Sequence, residues 1–67
     1  MSAERNTEAI LTEIARPHST RDSIAIVYGA AIHDNVNGTD WYTVNRILLD
    51  RYSMAGLLYI KRKAWRS

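Results

Sequence analysis

Two strong breaks, at Pro17 and at Asn37-Gly38, divide this chain of 67 residues into short segments. A proline pushes the residue before it out of the α region, and Asn-Gly is a strong turn signal. The length allows one small core, so we expect a single domain over residues 1–67. The chain has no cysteine, which excludes disulfides and thiolate zinc sites, so helix packing or a partner must stabilise it.

Apolar residues recur at helical spacing between these breaks. This periodicity predicts helices over residues 3–15, 20–34, 41–52 and 54–65. The candidate caps are Ser19 with Asp22, then Thr39 or Asp40, and finally Ser53. The β-rich run SIAIVY also suits a strand, but the sequence offers it no clear pairing strand. We therefore predict an all-α bundle of three to four helices.

The second predicted helix is apolar on nearly every side. One face carries Ile24, Val27, Tyr28 and Ala31, and the remainder carries Ile26, Ala30 and Ile32. Such a helix is either central or buries its second face in a partner. A homodimer through residues 24–32 is therefore an expectation.

Two polar residues fall on predicted apolar faces in the last two helices. Asn45 lies on the buried side of the third helix, where it needs a hydrogen-bond partner. Lys61 lies within the apolar arc of the fourth helix, so it must extend to water or meet an anion. That arc is predicted to comprise Met54, Leu57, Leu58, Ile60, Ala64 and Trp65.

Charge is distributed unevenly along the chain. Residues 1–39 carry three arginines against five acidic residues, whereas residues 40–67 carry six cations against two acidic residues. This asymmetry favours one basic face that meets an anionic partner, either DNA or an acidic protein surface. The alternative is that the cations merely stabilise the carboxyl end of the last helix.

Two short helices at a tight turn, the second one basic, have the outline of a helix-turn-helix. The predicted binding residues are Tyr59, Lys61, Arg62, Lys63 and Arg66, with Arg46 and Arg51 on the preceding helix. Recognition helices read bases with their first residues, which here are Met54, Ala55 and Gly56 and offer few hydrogen bonds. We therefore expect DNA binding with weak sequence preference.

Residues 44–65 resemble a segment of short bacteriophage and prophage proteins in which a [VI]-N pair precedes the pattern R-[WY]-S-x(4)-L-x-I-K-x-x-A-W. The matching residues are Val44, Asn45, Arg51, Tyr52, Ser53, Leu58, Ile60, Lys61, Ala64 and Trp65. The resemblance implies a phage origin and makes Asn45 and Lys61 part of the pattern. It also implies an alternative function, a phage-encoded inhibitor that binds a host protein in an anti-defence or anti-CRISPR-like role.

No catalytic, metal-binding or cofactor-binding pattern stands out, so we expect a binding protein and not an enzyme. His33-Asp34 is an isolated pair, and the three glycines form no phosphate loop. The longest uncharged apolar stretch has ten residues, short of the ~20 that span a bilayer. With no apolar signal region after Arg5, we expect a cytoplasmic protein, in the host cytoplasm if phage-encoded, without a membrane partner.

Overall fold

Three α-helices follow one another in the computed structural model, which describes the backbone of residues 2–66 and the side chains of residues 5–66. They are α1 (Ser2–Ala15), α2 (Arg21–Asn35) and α3 (Trp41–Arg66), with a short 3₁₀ turn at Val36–Gly38. No strand occurs in this range, so the all-α prediction is confirmed. The apolar spacing that predicts the first helix begins at Ala3, whose side chain lies outside the described ones.

The boundary between α1 and α2 lies where Pro17 predicts it, but the cap is shifted by one residue. The α1 helix ends at Ala15. Thr20 caps α2, because its hydroxyl accepts from the Ser23 amide at 3.0 Å and its own amide donates to the Ser23 hydroxyl at 2.9 Å. The predicted cap Ser19 instead donates its hydroxyl to the Ile14 carbonyl at 3.3 Å and closes the end of α1.

Asp40 caps the start of α3, which decides between the two candidates. Its carboxylate accepts from the Thr43 amide at 3.2 Å and from the Thr43 hydroxyl at 2.8 Å. Thr39 is buried, and its hydroxyl donates to the Asn35 carbonyl at 3.1 Å. Thr39 therefore contacts the end of α2 and Thr43 contacts the residue that caps α3, so both threonines stabilise the connection between the two helices.

The α3 helix is interrupted at one residue, Ser53, whose backbone has φ 66° and ψ 177°. The predicted helices 41–52 and 54–65 are thus the two halves of a single kinked element. An N-cap residue is normally extended with negative φ, so Ser53 marks the break without adopting cap geometry. This region of φ/ψ space belongs to glycine and costs about 1–3 kcal/mol for other residues.

The α2 helix is the central element and packs against both α1 and α3. The buried core is made of Ile10, Ile14, Ile24, Ala25, Tyr28, Ala31, Val44, Leu48, Leu57, Ile60 and Ala64. The α2 residues Ile24, Ala25, Tyr28 and Ala31 are thus used inside the monomer, whereas on the second face, which suggested a homodimer, Ala30 is exposed and Ile32 is half-buried. Ile26 on the opposite side is 70% exposed, and it is the large apolar side chain of α2 that remains available.

Asn45 has the partner that its predicted burial requires. The Tyr28 hydroxyl donates to its side-chain oxygen at 2.6 Å, which joins α2 to the first half of α3. The Trp41 ring packs against Tyr28 with centroids 4.7 Å apart. Burial raises the pKa of Tyr28 to about 12 despite the opposing effect of this hydrogen bond. The hydroxyl thus remains a proton donor at neutral pH.

The second half of α3 runs parallel to α2 at very close range. Arg21 lies beside Gly56 at one end, and Gly29 lies against Ala64 further along. A Cβ atom on Gly29 would lie 2.9 Å from the Ala64 carbonyl oxygen. The absence of a side chain at this position sets how closely the two helices approach.

Gly29→Ala is expected to destabilise the fold by about 1–2 kcal/mol, since the new methyl meets backbone and the helices must separate. In a small domain this lowers Tm by roughly 4–8 °C per kcal/mol, measurable by circular dichroism. An exposed helical glycine would behave in the opposite way, because alanine favours a helix by about 1 kcal/mol. A raised Tm in Gly29→Ala would therefore contradict the close packing. Ala30→Gly, exposed on the same helix, measures the propensity effect alone.

Candidate functional site

A concave surface that we call the basic groove lies along the outer face of the second half of α3. It has a volume of about 520 Å³ and is lined by Tyr59, Arg62, Lys63 and Arg66. Residues three or four positions apart share one face of a helix. This face points outward, while Ile60 and Ala64 in the same turns are fully buried in the core.

Asp22 in the first turn of α2 holds one wall of the basic groove. The Tyr59 hydroxyl donates to its Oδ1 atom at 2.5 Å, and the Lys63 ammonium lies 3.5 Å from the same oxygen. The Arg21 guanidinium lies 5.1 Å from the centre of the Tyr59 ring, at cation–π distance. These contacts orient Tyr59 and Lys63 and add a further cation beside them.

The pKa of Asp22 is lowered from its usual value of 3.8, chiefly by the Tyr59 hydrogen bond and further by the positive charge of Lys63. Some desolvation of the exposed carboxylate opposes this shift. The carboxylate is therefore fully ionised wherever the protein meets neutral pH. It neutralises part of the charge of Lys63 and leaves the remainder of the basic groove positive.

Arg62 and Arg66 supply that positive charge. Both are exposed, and neither has a carboxylate within salt-bridge distance among the side chains from residue 5 to residue 66. They also form no hydrogen bond to a side chain in that range. Two guanidinium groups with free donors on one helix face are suited to an anion with several oxygens.

Arg46 and Arg51, predicted as members of the same binding surface, lie elsewhere. They line a separate concavity beside the Ser53 kink. Arg46 donates to the Tyr42 hydroxyl at 3.1 Å. Arg51 donates to the Ile14 carbonyl and lies 5.3 Å from the centre of the Tyr52 ring. Arg51 therefore fastens the end of α1 to α3 in the described fold.

Lys61 belongs to a third surface, a smaller concavity of about 170 Å³ that we call the aromatic groove. Its lining consists of Tyr28, Ile32, Val36, Trp41, Asn45, Lys61 and Trp65. Lys61 is half-buried there, and no ion pair engages it among the described side chains. The sequence required Lys61 to extend to water or to meet an anion, and apart from Asn45 its neighbours in the groove are aromatic or apolar.

Trp65 is 62% exposed at the rim of the aromatic groove, edge-on to His33 with ring centroids 6.4 Å apart. Trp65 belongs to the predicted apolar arc but is not buried, and neither are Met54 and Leu58 of the same arc, which are about half exposed. The buried line of this segment runs through Leu57, Ile60 and Ala64. An apolar arc this wide has two sides, and periodicity alone does not choose between them.

No three His, Asp or Glu side chains in the described part of the chain come together in a way that would hold a metal ion. None of the helices within residues 2–66 combines the length and the apolarity that crossing a membrane requires. No protein-family model, curated protein or solved structure matches this chain.

Tyr59→Phe is expected to raise the pKa of Asp22 toward 3.8, because the ring stays but the hydroxyl donor is lost. The lowered pKa stabilises the parent fold fully above pH 3.8, and this contribution disappears as the pH falls through the folded-state value. Carboxyl carbon chemical shifts, followed by NMR during an acid titration, measure the change. Tyr42→Phe is the matched control, since its hydroxyl contacts Arg46 and not a carboxylate. An Asp22 midpoint that is identical in the parent and in Tyr59→Phe would contradict the assignment.

Proposed function

We propose that the chain binds duplex DNA through its sugar–phosphate backbone, with the basic groove as the contact surface. The observation that carries this proposal is the pair of exposed guanidinium groups of Arg62 and Arg66 beside Tyr59 and Lys63, neither of them in an ion pair with a side chain from residue 5 to residue 66. Arginine, lysine and tyrosine side chains are the usual donors to phosphate oxygens. Asp22 borders the groove at Tyr59 and Lys63, so an approaching phosphate would meet mainly the guanidinium donors of Arg62 and Arg66.

Orientation on the duplex follows from the charge distribution of the whole chain. The net charge is +2, but residues 40–67 hold six cations against two acidic residues. The acidic residues Glu4, Glu8 and Glu13 are on α1, at the other end of the sequence. A basic face on one helix and an acidic helix elsewhere direct the basic groove toward a polyanion.

The two halves of α3 serve in this proposal as a helix-turn-helix-like pair with little base readout. Their connection is a single residue, Ser53, whereas a helix-turn-helix normally has a turn of three to four residues. The exposed residues that follow the break, Met54 and Ala55, offer no hydrogen-bond donors to base edges. The cations lie at the carboxyl end of the segment, which suits backbone contact and weak sequence preference.

Salt-dependent binding to a random duplex, measured by fluorescence anisotropy, tests this function. The double variant Arg62→Gln with Arg66→Gln is expected to weaken binding by at least tenfold at low salt. It should also reduce the slope of log affinity against log salt by ~1.8, because each lost phosphate contact contributes ~0.9. Both side chains are exposed, so the helical circular dichroism should be unchanged.

Arg5→Gln with Arg46→Gln is the matched control, since it removes the same charge from two exposed arginines outside the basic groove. It is expected to retain most of the parent slope. Equal losses in the two double variants would mean that net charge alone drives association and would remove the groove assignment. An absence of binding by the parent at low salt would refute the DNA function itself.

A protein partner is the second candidate function, and the aromatic groove favours it. Three residues that carry the resemblance to phage proteins, Asn45, Lys61 and Trp65, line this groove together. A half-buried cation in a groove that two tryptophans also line suits a segment that combines an acidic residue with an apolar one. The contact predicted through the central helix would use Ile26, which is 70% exposed, because the other large apolar side chains of α2 are buried or half-buried in the monomer.

Lys61→Glu and Trp65→Ala are expected to abolish capture of a host protein that the parent retains from lysate. Tyr42→Ala, which removes a 74% exposed aromatic ring from another part of α3, should leave that capture intact. Affinity purification with quantitative mass spectrometry measures all four proteins side by side. A partner that is lost equally with Tyr42→Ala would not be bound at the aromatic groove.

A further inference from the structure

The kink in α3 has the features of a hinge. Its 26 residues are helical on both sides of Ser53, which alone departs from helical geometry within the element and is exposed. The conformation of this residue, φ 66° and ψ 177°, is one that only glycine adopts without strain. A change at one residue would therefore relieve the strain and make α3 continuous.

A continuous α3 does not fit inside the monomer. Its 26 residues would span about 39 Å at 1.5 Å per residue. The longest dimension of the folded chain is 29 Å. Straightening must therefore carry residues 54–66 away from α2 and leave the core surface on α2 uncovered.

In a straight α3, the core-forming residues of the two halves would also lie on different sides of the helix. At 100° per residue, the buried positions Val44 and Leu48 lie about 150° from the buried positions of the second half. Those second-half positions are Leu57, Ile60 and Ala64. One straight helix can bury both sets only if a second core lies on its other side.

We propose that this chain forms a domain-swapped homodimer in which Ser53 becomes helical and residues 54–66 exchange between two copies. Each exchanged segment would pack on the α2 helix of the other copy and restore the contacts of the monomer. These contacts are Gly29 against Ala64 and Asp22 with Tyr59 and Lys63. All of them join residues on opposite sides of the hinge, so a second copy can supply them unchanged. Short hinges under strain favour such exchange.

An exposed apolar stripe supports a second copy as the partner. Ile47, Met54, Leu58 and Trp65 are 37%, 54%, 49% and 62% exposed in the monomer. Their spacing of seven, four and seven residues places them within about 20° of one line on a straight helix. The kink separates them, whereas the continuous helix aligns them beside the hinge. If the straight α3 helices of the two copies cross near Ser53, the stripe of each helix would pack against the stripe of the other.

The oligomeric state after refolding at millimolar concentration tests the hinge. Light scattering coupled to gel filtration should detect a species of twice 7.7 kDa beside the monomer. Glycine adopts the kinked conformation without strain, so Ser53→Gly stabilises the monomer relative to the dimer. The association constant for dimerisation should fall ~10-fold per hinge, hence ~100-fold for the two hinges of a dimer. Ser53→Ala favours the continuous helix and should raise the dimer fraction.

Isotope-filtered NMR on mixed labelled and unlabelled chains separates exchange from ordinary surface association. In the swapped dimer, contacts between Gly29 and Ala64 and between Arg21 and Tyr59 are intermolecular. Contacts between Tyr28 and Trp41, which both precede the hinge, remain intramolecular and serve as the internal control.

Three results would overturn the proposal. The first is a parent chain that stays monomeric at every concentration after refolding. The second is a dimer in which the contact between Gly29 and Ala64 is intramolecular. The third is a Ser53→Gly variant that dimerises as well as the parent does. The comparison of Ser53→Gly with the parent decides the matter even if Ser53→Ala fails to fold, because glycine removes strain from the monomer and leaves its contacts in place.

Discussion

The close parallel packing of α2 against the second half of α3 is the contact on which the other features of this protein depend. Gly29 allows the Ala64 backbone to approach to a distance that any side chain would prevent. With the helices this close, Asp22 at one end reaches Tyr59 and Lys63, and His33 at the other end meets the Trp65 ring. One wall of the basic groove and the rim of the aromatic groove are therefore consequences of a single helix contact, and both should loosen together if the helices separate.

Some cations of α3 contact other parts of the fold, and others are available to bind a partner. Arg51 donates to the Ile14 carbonyl and holds the end of α1, and Lys63 lies beside Asp22. Surface ion pairs contribute little to stability, typically 0–1 kcal/mol, so the contact with Asp22 orients Lys63 more than it stabilises the fold. Arg62 and Arg66 have no such contact among the described residues. Positioned and unpaired cations thus lie side by side, and this combination supports the proposed phosphate contact more strongly than the net charge does.

Sequence patterns predicted the helices well and the surfaces poorly, for identifiable reasons. Pro17 and Asp40 act locally, so the helix ends near them were predictable. Ser19 and Thr20 are both good capping residues, and periodicity does not determine which of two neighbours takes the role. The predicted binding residues divide among three surfaces for two reasons: Lys61 lies on a different face of the same helical half as Arg62, and the backbone at Ser53 turns the half that holds Arg46 and Arg51 relative to the other. That rotation depends on two dihedral angles at a serine, a residue that carries no preference for positive φ.

The strain at Ser53 persists because it lets both halves of α3 bury their apolar positions in one core. In a straight helix within a monomer, Leu57, Ile60 and Ala64 would face water. Burying a large aliphatic side chain contributes about 1.5–3 kcal/mol relative to exposing it, so two such residues outweigh the about 1–3 kcal/mol cost of the kink. A second copy changes this comparison, since it offers the same burial without the strain. The balance then depends on concentration, and the residue that makes the monomer fold is also the one that sets how readily two chains exchange their last helical segments.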